Sequence, residues 1–180
     1  SGDLIPIVKK PVLTADDTMG MVMEVLSEEN RKLFLRDKEI DFSYSLPEGV
    51  RFRCNAFFQK GFVGVAFRLI PLKIKTLAEL NLPEQLAEFT RRQQGFFLVV
   101  GPVGQGKSTT LAAMVELINH ERAEHIITIE DPIEYMFVND RSIIDQREVR
   151  FDTQDFSTAL RSMFRQDVNV AMIGEMRNPE

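Results

Sequence analysis

The chain has 180 residues, of which 44% are hydrophobic, and that is enough apolar material for one ordinary domain or two small ones. Its 22 basic and 27 acidic residues give a net charge of −5 with the signs interspersed, which argues against a general binder of nucleic acid or anionic membrane. No apolar run approaches the roughly 18 residues that span a bilayer, and no signal-peptide pattern opens the chain, so the sequence predicts a cytoplasmic protein.

The first part of the chain predicts a small α+β domain over residues 1–72. A short strand at residues 4–8 is followed by a helix that begins after Thr14 and ends near Leu26, because apolar residues recur there at helical spacing. Three strands follow, with a hairpin turn between the last two, at residues 40–46, 50–59 and 62–70. Residues 73–82 are predicted to be a linker.

The predicted hairpin has an apolar face and a polar face. Cys54 lies on the apolar face, so we interpret this single cysteine as a core residue, with a reactive thiol as the alternative. Arg53 and Arg68, on neighbouring strands, share the polar face. They are either ordinary arginines of a solvated sheet or two cations offered in trans to a polyphosphate.

A glycine-rich segment lies between an apolar run at residues 96–100, predicted to be a buried strand, and a segment with helical periodicity. It matches the pattern G-x-x-x-x-G-K-[ST] with the residues Gly101, Pro102, Val103, Gly104, Gln105, Gly106, Lys107, Ser108 and Thr109. Such a loop directs backbone N–H groups at phosphates, and the following helix adds the positive end of its dipole. The expected ligand is a nucleoside triphosphate, with Lys107 at the β- and γ-phosphates and the Ser108 hydroxyl at Mg²⁺. The alternative is a chance glycine-rich turn.

Residues 83–180 predict a second domain in which helices and strands alternate. A helix is expected from Pro83 to about Arg92. A second helix is expected directly after the glycine-rich segment, and a third over residues 156–164. Strands are expected at residues 125–129, 142–146 and 169–173. This order implies a parallel sheet whose ligands bind beyond the carboxyl ends of the strands. His120 and His125 are too isolated to suggest a metal site, so we interpret both as surface residues.

Acidic residues collect at the predicted strand ends. Glu130 and Asp131 close one strand, Glu134 follows shortly after, and Glu175 follows the last strand. Hydrolysis of ATP requires one carboxylate to orient or deprotonate water and another to hold Mg²⁺, directly or through its waters. Glu130, Asp131 and Glu175, with Ser108, are the candidates for the cation. The alternative for Glu130 and Asp131 is a loop of solvated charges.

Several segments resemble the hexameric secretion ATPases that power type IV pili and type II secretion. Their aspartate box resembles Thr128-Ile129-Glu130-Asp131-Pro132-Ile133-Glu134, and their Walker B segment resembles Val170-Ala171-Met172-Ile173-Gly174-Glu175-Met176-Arg177. The chain is similar to the retraction, or twitching-motility, branch at Gln146-Arg147-Glu148-Val149, Asp152-Thr153 and Ala159-Leu160-Arg161. The first domain resembles the PAS-like amino-terminal domain of the family at Arg51-Phe52-Arg53-Cys54-Asn55-Ala56-Phe57 and Val65-Ala66-Phe67-Arg68.

The resemblance implies an α/β fold, with a RecA-like P-loop NTPase core preceded by a small α+β PAS-like domain. It implies a Mg-ATP-hydrolysing hexameric motor that powers pilus retraction and twitching motility. In that family's terms Glu134 activates water, Glu175 is coupled to Mg²⁺, and Arg53 and Arg68 approach the γ-phosphate. The implied partner is a pilus platform protein at the cytoplasmic face of the inner membrane, with the motor peripheral to the bilayer and no nucleic acid involved.

Two asparagines depart from the family pattern, since aspartates are common at Asn169 and Asn178. The ends of the chain indicate a fragment, and the family's histidine box and carboxyl-terminal helical domain are expected beyond Glu180. Two alternatives remain open. One is a pilus-assembly or type II secretion ATPase of the same superfamily, and the other is a regulatory subunit that binds nucleotide with little turnover.

Overall fold

The computed structural model describes residues 5–7, 9–47, 49–71 and 73–176, and it divides into two compact units, Ser1–Leu69 and Ile70–Glu180. The first unit contains α1 (Ala15–Val25), α2 (Glu28–Asp37), β1 (Glu39–Ser45), β2 (Arg51–Gln59) and β3 (Phe62–Leu69). The second contains α3 (Gln85–Thr90), α4 (Lys107–Glu121), β4 (His125–Glu130), β5 (Ile143–Glu148), α5 (Phe156–Met163) and β6 (Val170–Ile173). No helix in the described ranges combines the length and hydrophobicity needed to cross a bilayer.

The opening of the chain differs from the prediction. Residues 5–7 do not form a strand, and the other ends of that predicted element, Leu4 and Val8, lie outside the described residues, as does Asn178. The helix predicted after Thr14 is confirmed as α1. It begins with a capping box, in which the backbone N–H of Asp17 donates to the Thr14 hydroxyl at 3.2 Å and the Thr14 N–H donates to the Asp17 carboxylate at 2.8 Å.

Helix α2 was not predicted. The Ser27 hydroxyl accepts a hydrogen bond from the backbone N–H of Asn30 at 3.2 Å, and Glu28 and Glu29 occupy the first turn. A serine at the N-cap followed by two acids is a common helix-start signal. The serine hydroxyl accepts from a free backbone N–H, and the carboxylates interact favourably with the positive end of the helix dipole. Apolar periodicity does not reveal this helix, because it is mostly polar and buries only Phe34 completely.

The three strands of the first unit are confirmed as one antiparallel sheet in the order β1-β2-β3. The predicted hairpin turn has Lys60 and Gly61 at φ 49° and 83°, the left-handed region that a tight turn requires. Cys54 is fully buried in the core of this unit beside Ala56 and Phe42. Burial raises the pKa of its thiol to about 11, so the structure supports the core interpretation.

The predicted linker at residues 73–82 is part of the second unit. Leu77 is buried in a cluster with Ala113 and Met114 of α4, and Leu80 and Leu82 pack against the same cluster. The segment contains leucines at the spacing of one short turn, and this lets it cover α4 instead of crossing solvent.

The second unit has a parallel sheet, as predicted, in the order β5-β4-β6. Alternate residues of β4 face opposite sides. Ile126 packs with Val115 and Ile118 of α4, whereas Ile127 and Ile129 pack with Ala159 and Met163 of α5. The sheet is therefore covered by one helix on each face, which leaves its carboxyl edge for ligands.

The predicted strand at residues 96–100 is not formed. The run pairs with neither edge of the described sheet, and Phe96, Leu98 and Val100 are 82%, 53% and 80% exposed. An apolar run becomes a buried strand only where a neighbouring strand bonds it and helices cover its faces. The described residues provide neither for this run, so hydrophobicity alone gave the wrong element.

Candidate functional site

The predicted phosphate loop leads directly into a long helix. Gly104 and Gly106 have φ of 81° and 83°, so the loop uses the backbone freedom that only glycine has without strain. Gly106 caps the N-terminus of α4, and Lys107 is the first helical residue. The Lys107 ammonium donates to the carbonyl of Pro102 at 2.9 Å and therefore lies across the loop. The N-terminal N–H groups of α4, the positive end of its dipole, the loop glycines and the Lys107 ammonium therefore lie close together.

The first turn of α4 is attached to the loop that follows β4. The hydroxyl of Thr109 lies 2.8 Å from the phenolic oxygen of Tyr135, the residue after Glu134. Ser108, the predicted Mg²⁺ ligand, is half-buried between Lys107 and Thr109. The structure therefore joins the phosphate-loop helix to the segment that carries the predicted water-activating carboxylate.

Glu130 ends β4 and is buried. Its carboxylate accepts hydrogen bonds from the Thr128 hydroxyl at 2.7 Å, from the Gln146 amide at 3.3 Å and from the backbone N–H of Glu134 at 3.4 Å. Burial raises the pKa of Glu130, against the lowering effect of these donors. Glu130 is thus no solvated loop charge. Its donors also show that it fixes the start of the loop at residues 131–137.

That loop is held by side chains of β5. The N–H of Ile133 donates to the Glu148 carboxylate at 3.1 Å, and the Gln146 amide bonds the backbone of Tyr135 and Phe137. Roles for Gln146, Glu148 and Tyr135 were not predicted from the sequence. The available signal was a run of four polar residues, Asp145 to Glu148, in a strand beside the predicted site.

Glu175 lies just past β6, beside the end of β4. The register pairs Ile129 with Ile173, and the N–H of Gly174 donates to the Ile129 carbonyl at 2.8 Å. A Cβ on Gly174 would lie 3.3 Å from the Cα of Glu130, so only glycine fits this approach without displacement. The carboxyl ends of β4 and β6 therefore bring Glu130 and Glu175 to the same edge of the sheet.

The predicted metal ligands, Ser108, Glu130, Asp131 and Glu175, differ in how well they suit a cation. No group of three His, Cys, Asp or Glu side chains that would hold a metal forms among residues 5–7, 9–47, 49–71 and 73–176. Mg²⁺ commonly uses one or two carboxylates, waters and substrate phosphates, and the oxygens of Ser108 and Glu175 suit that donor set. Asp131 has an Arg150 guanidinium 3.6 Å from its carboxylate, which offsets its negative charge.

The predicted arginines and histidines lie outside the phosphate-loop segment of the chain. Arg53 and Arg68 are directly opposite each other across β2 and β3, so the prediction that they share a face is confirmed. His120 lies between Asp140 and Glu116, and the Asp140 hydrogen bond raises its pKa. His125 bonds Asp145 in the neighbouring strand. Both histidines serve local structure.

A glycine-rich loop at a helix N-terminus, beside the carboxyl edge of a parallel sheet that ends in acids, defines the class of α/β proteins with a phosphate-binding loop. Within that class, residues 68–180 match the family described as "Type II/IV secretion system protein", and the chain belongs to this family.

Relatives with assigned names are similar over nearly the whole chain. The "Twitching motility protein" of Neisseria gonorrhoeae is 42% identical over 94% of this chain and 46% of its own length. The "Type IV pilus retractation ATPase PilT" of Pseudomonas aeruginosa is also 42% identical, over 94% of this chain and 49% of its own length. The chain thus spans about half the length of these relatives.

Two solved structures have a similar fold. The pilus retraction motor PilT with bound ADP superposes with a TM-score of 0.88 at 44% identity, over 91% of this chain and 48% of that one. The ATPase DotB of Legionella pneumophila superposes with a TM-score of 0.80 at 26% identity, over 94% of this chain and 49% of that one. Both support the α/β assignment.

Proposed function

We propose that the protein carrying this chain is an ATPase that powers retraction of type IV pili. The observation that supports this most is the Thr109–Tyr135 contact, which joins the phosphate-loop helix to the segment of Glu134. A site that binds a triphosphate and activates water beside it requires these two parts to be held together. The names of the PilT relatives and the ADP bound to the PilT motor point to the same chemistry.

Each site residue has a proposed task. Lys107 binds the β- and γ-phosphates as a cation, while the N–H groups of the loop and of α4 receive the phosphate oxygens. Glu134 orients or deprotonates the attacking water. Ser108 and Glu175 would hold Mg²⁺, directly or through its waters, with Glu130 and Asp131 nearby. When bound, Mg²⁺ would offset the negative charge of the phosphates.

The proposal extends to the whole protein. Ile70–Glu180 would form a RecA-like core, and Ser1–Leu69 a PAS-like domain. The assembled motor would be a hexamer that acts on a platform protein at the cytoplasmic face of the inner membrane, peripheral to the bilayer. Retraction is favoured over type II secretion because pilus relatives match 94% of the chain, whereas a "Type II secretion system protein E" from Aeromonas hydrophila matches 58% of it.

Nucleotide binding and turnover test the enzyme assignment separately. Lys107→Ala should weaken ADP binding by about tenfold or more, because it removes the phosphate cation. Glu134→Gln should keep ADP binding and lose about 10²–10⁴-fold in turnover, because only the water-activating carboxylate is lost. Lys75→Ala and Glu84→Gln change exposed residues outside the site and serve as controls. Full turnover in Glu134→Gln would overturn the assignment of the base, and no turnover in the parent protein would favour the regulatory subunit.

An experiment in cells distinguishes a retraction motor from an assembly motor. A strain whose chromosomal copy carries Lys107→Ala should accumulate surface pili and stop twitching, because pili would be built but not withdrawn. A count of pili by electron microscopy gives the answer directly. Loss of pili would show an assembly motor instead, and loss of protein secretion with normal pili would show a type II secretion motor.

A further inference from the structure

Two side chains of β5 act on the loop that carries Glu134. Gln146 and Glu148 are two positions apart and so share one side of the strand. The Glu148 carboxylate accepts from the N–H of Ile133 at 3.1 Å. The Gln146 amide bonds the backbone of Tyr135 and Phe137, two and four residues after Ile133. The backbone is therefore bonded to β5 both immediately before and immediately after Glu134.

The contacts of Gln146 use both ends of its amide. The nitrogen donates to the carbonyl of Tyr135 at 2.8 Å and to the Glu130 carboxylate at 3.3 Å. The oxygen accepts from the N–H of Phe137 at 2.9 Å. A carbonyl and an N–H two residues apart are the pair that one residue of a neighbouring parallel strand would engage. Gln146 thus continues the sheet beyond the end of β4 with a side chain.

Only a primary amide satisfies all three partners. It supplies two N–H donors and a carbonyl acceptor at fixed separation, whereas a carboxylate has no donor and an apolar side chain has neither group. Glu130 and the two loop backbone groups would otherwise need other partners in a partly buried place, where an unmet polar group is unfavourable.

We propose that Gln146 is a positioning residue for hydrolysis, which holds the backbone directly after Glu134 and also bonds Glu130, the carboxylate that accepts from the Glu134 N–H, so that Glu134 stays where the water-activating step requires it. This inference rests on the proposed function, because it acts through Glu134. A displacement of about 1 Å at a reacting group lowers a rate by as much as about 10²-fold, so a side chain that fixes the loop controls turnover without touching the nucleotide.

The test uses Gln146→Met, which keeps the length and shape of the side chain and removes its polar groups. Turnover by the protein carrying this chain should fall about 10- to 100-fold in kcat, with the Kd for ADP changed less than about threefold. Gln146→Glu keeps an acceptor for Phe137 but loses both donors, and it should also lower kcat. Gln154→Met, at an exposed position, is the matched control and should keep the parent kcat.

A double variant separates positioning from folding. In a Glu134→Gln background, Gln146→Met should lower kcat by less than about twofold further, because both changes act on one group. Parent kcat in both Gln146 variants, a lower melting temperature with unchanged kcat, or a full additional loss in the double variant would each overturn the inference. Failure of the proposed function is distinguished by Glu134→Gln alone, which would then retain turnover.

Discussion

The Thr109 hydroxyl and the Tyr135 phenol lie 2.8 Å apart and join the helix of the phosphate loop to the loop of Glu134. Thr109 directly follows Ser108, and Tyr135 directly follows Glu134. One hydrogen bond therefore sets the distance between the two halves of the proposed site, the half that would bind phosphate and the half that would activate water.

Tyr135→Phe should remove this link and leave the ring in place. We expect a loss of about 0.5–1.5 kcal/mol in the free energy of unfolding and a several-fold lower kcat, because one partly buried hydrogen bond is lost and the loop can move. Tyr44→Phe, in β1 of the other unit, is the matched control. Urea unfolding and steady-state turnover measure both effects. If the two variants behaved alike, the contact would have no role in the site.

A side chain at Gly174 should lower the stability of the second unit. In Gly174→Ala the new Cβ would lie 3.3 Å from the Cα of Glu130 and 3.4 Å from the Ile129 carbonyl oxygen, and both are backbone atoms of a central strand. We expect a loss of about 1–3 kcal/mol in the free energy of unfolding and reduced turnover, since the end of β6 must shift.

A second glycine provides the control for this change. Gly20 lies inside α1, and a Cβ there would meet nothing within 4 Å. Gly20→Ala should therefore raise the free energy of unfolding of its unit by about 0.5–1 kcal/mol, because alanine favours the helix. Urea unfolding of both variants tests whether Gly174→Ala lowers and Gly20→Ala raises the free energy of unfolding. Destabilisation by Gly20→Ala would contradict the packing described for α1.

The arginine pair tests the proposed oligomer. Arg53 and Arg68 are opposite each other in β2 and β3, so one ligand could contact both guanidinium groups. We propose that they complete the nucleotide site of another copy. Arg53→Ala and Lys107→Ala proteins, each inactive alone, should recover part of the turnover when mixed. Mixed assemblies without recovery would leave the arginines as ordinary sheet residues.

The sequence predicted the elements whose signal is local. The helix start after Thr14, the alternation around Cys54 and the glycines of the phosphate loop each follow from a few neighbouring residues, and the structure contains all three. The acids at the ends of β4 and β6 followed from one further step, the parallel order of the sheet. Their tasks in catalysis remain proposals.

The missed features depend on distant partners. The apolar run at residues 96–100 was expected to be a strand, but the pattern does not say which strand would bond it. Gln146 bonds groups 9–16 residues away in the chain and Tyr135 bonds a group 26 residues away, so local spacing does not show which groups they bond. Residues 73–82 resemble a linker in the sequence, because the packing of Leu77 against α4 depends on residues more than 30 positions away.

The pH dependence of folding should report His125. Its Nε2 lies 3.0 Å from the Asp145 carboxylate and its Nδ1 lies 2.8 Å from the Gln166 carbonyl, so both ring nitrogens face acceptors and the protonated ring suits the site. The Asp145 hydrogen bond raises the pKa of His125 above its ordinary 6.5, against a smaller lowering by burial. A raised pKa stabilises the fold fully below the pKa of the unfolded chain, and this stabilisation is lost as the pH rises through the folded pKa.

The difference in unfolding free energy between the parent and His125→Asn should therefore be larger at about pH 5.5 than at about pH 9. We expect the change to stay within about 1 kcal/mol, because Asp145 is largely exposed and solvent screens the pair. Urea unfolding at both pH values measures it. In an Asp145→Asn background the pH dependence should become smaller, since the main cause of the raised pKa is gone. An equal difference at both pH values, or a larger one at high pH, would show that His125 is held as the neutral ring.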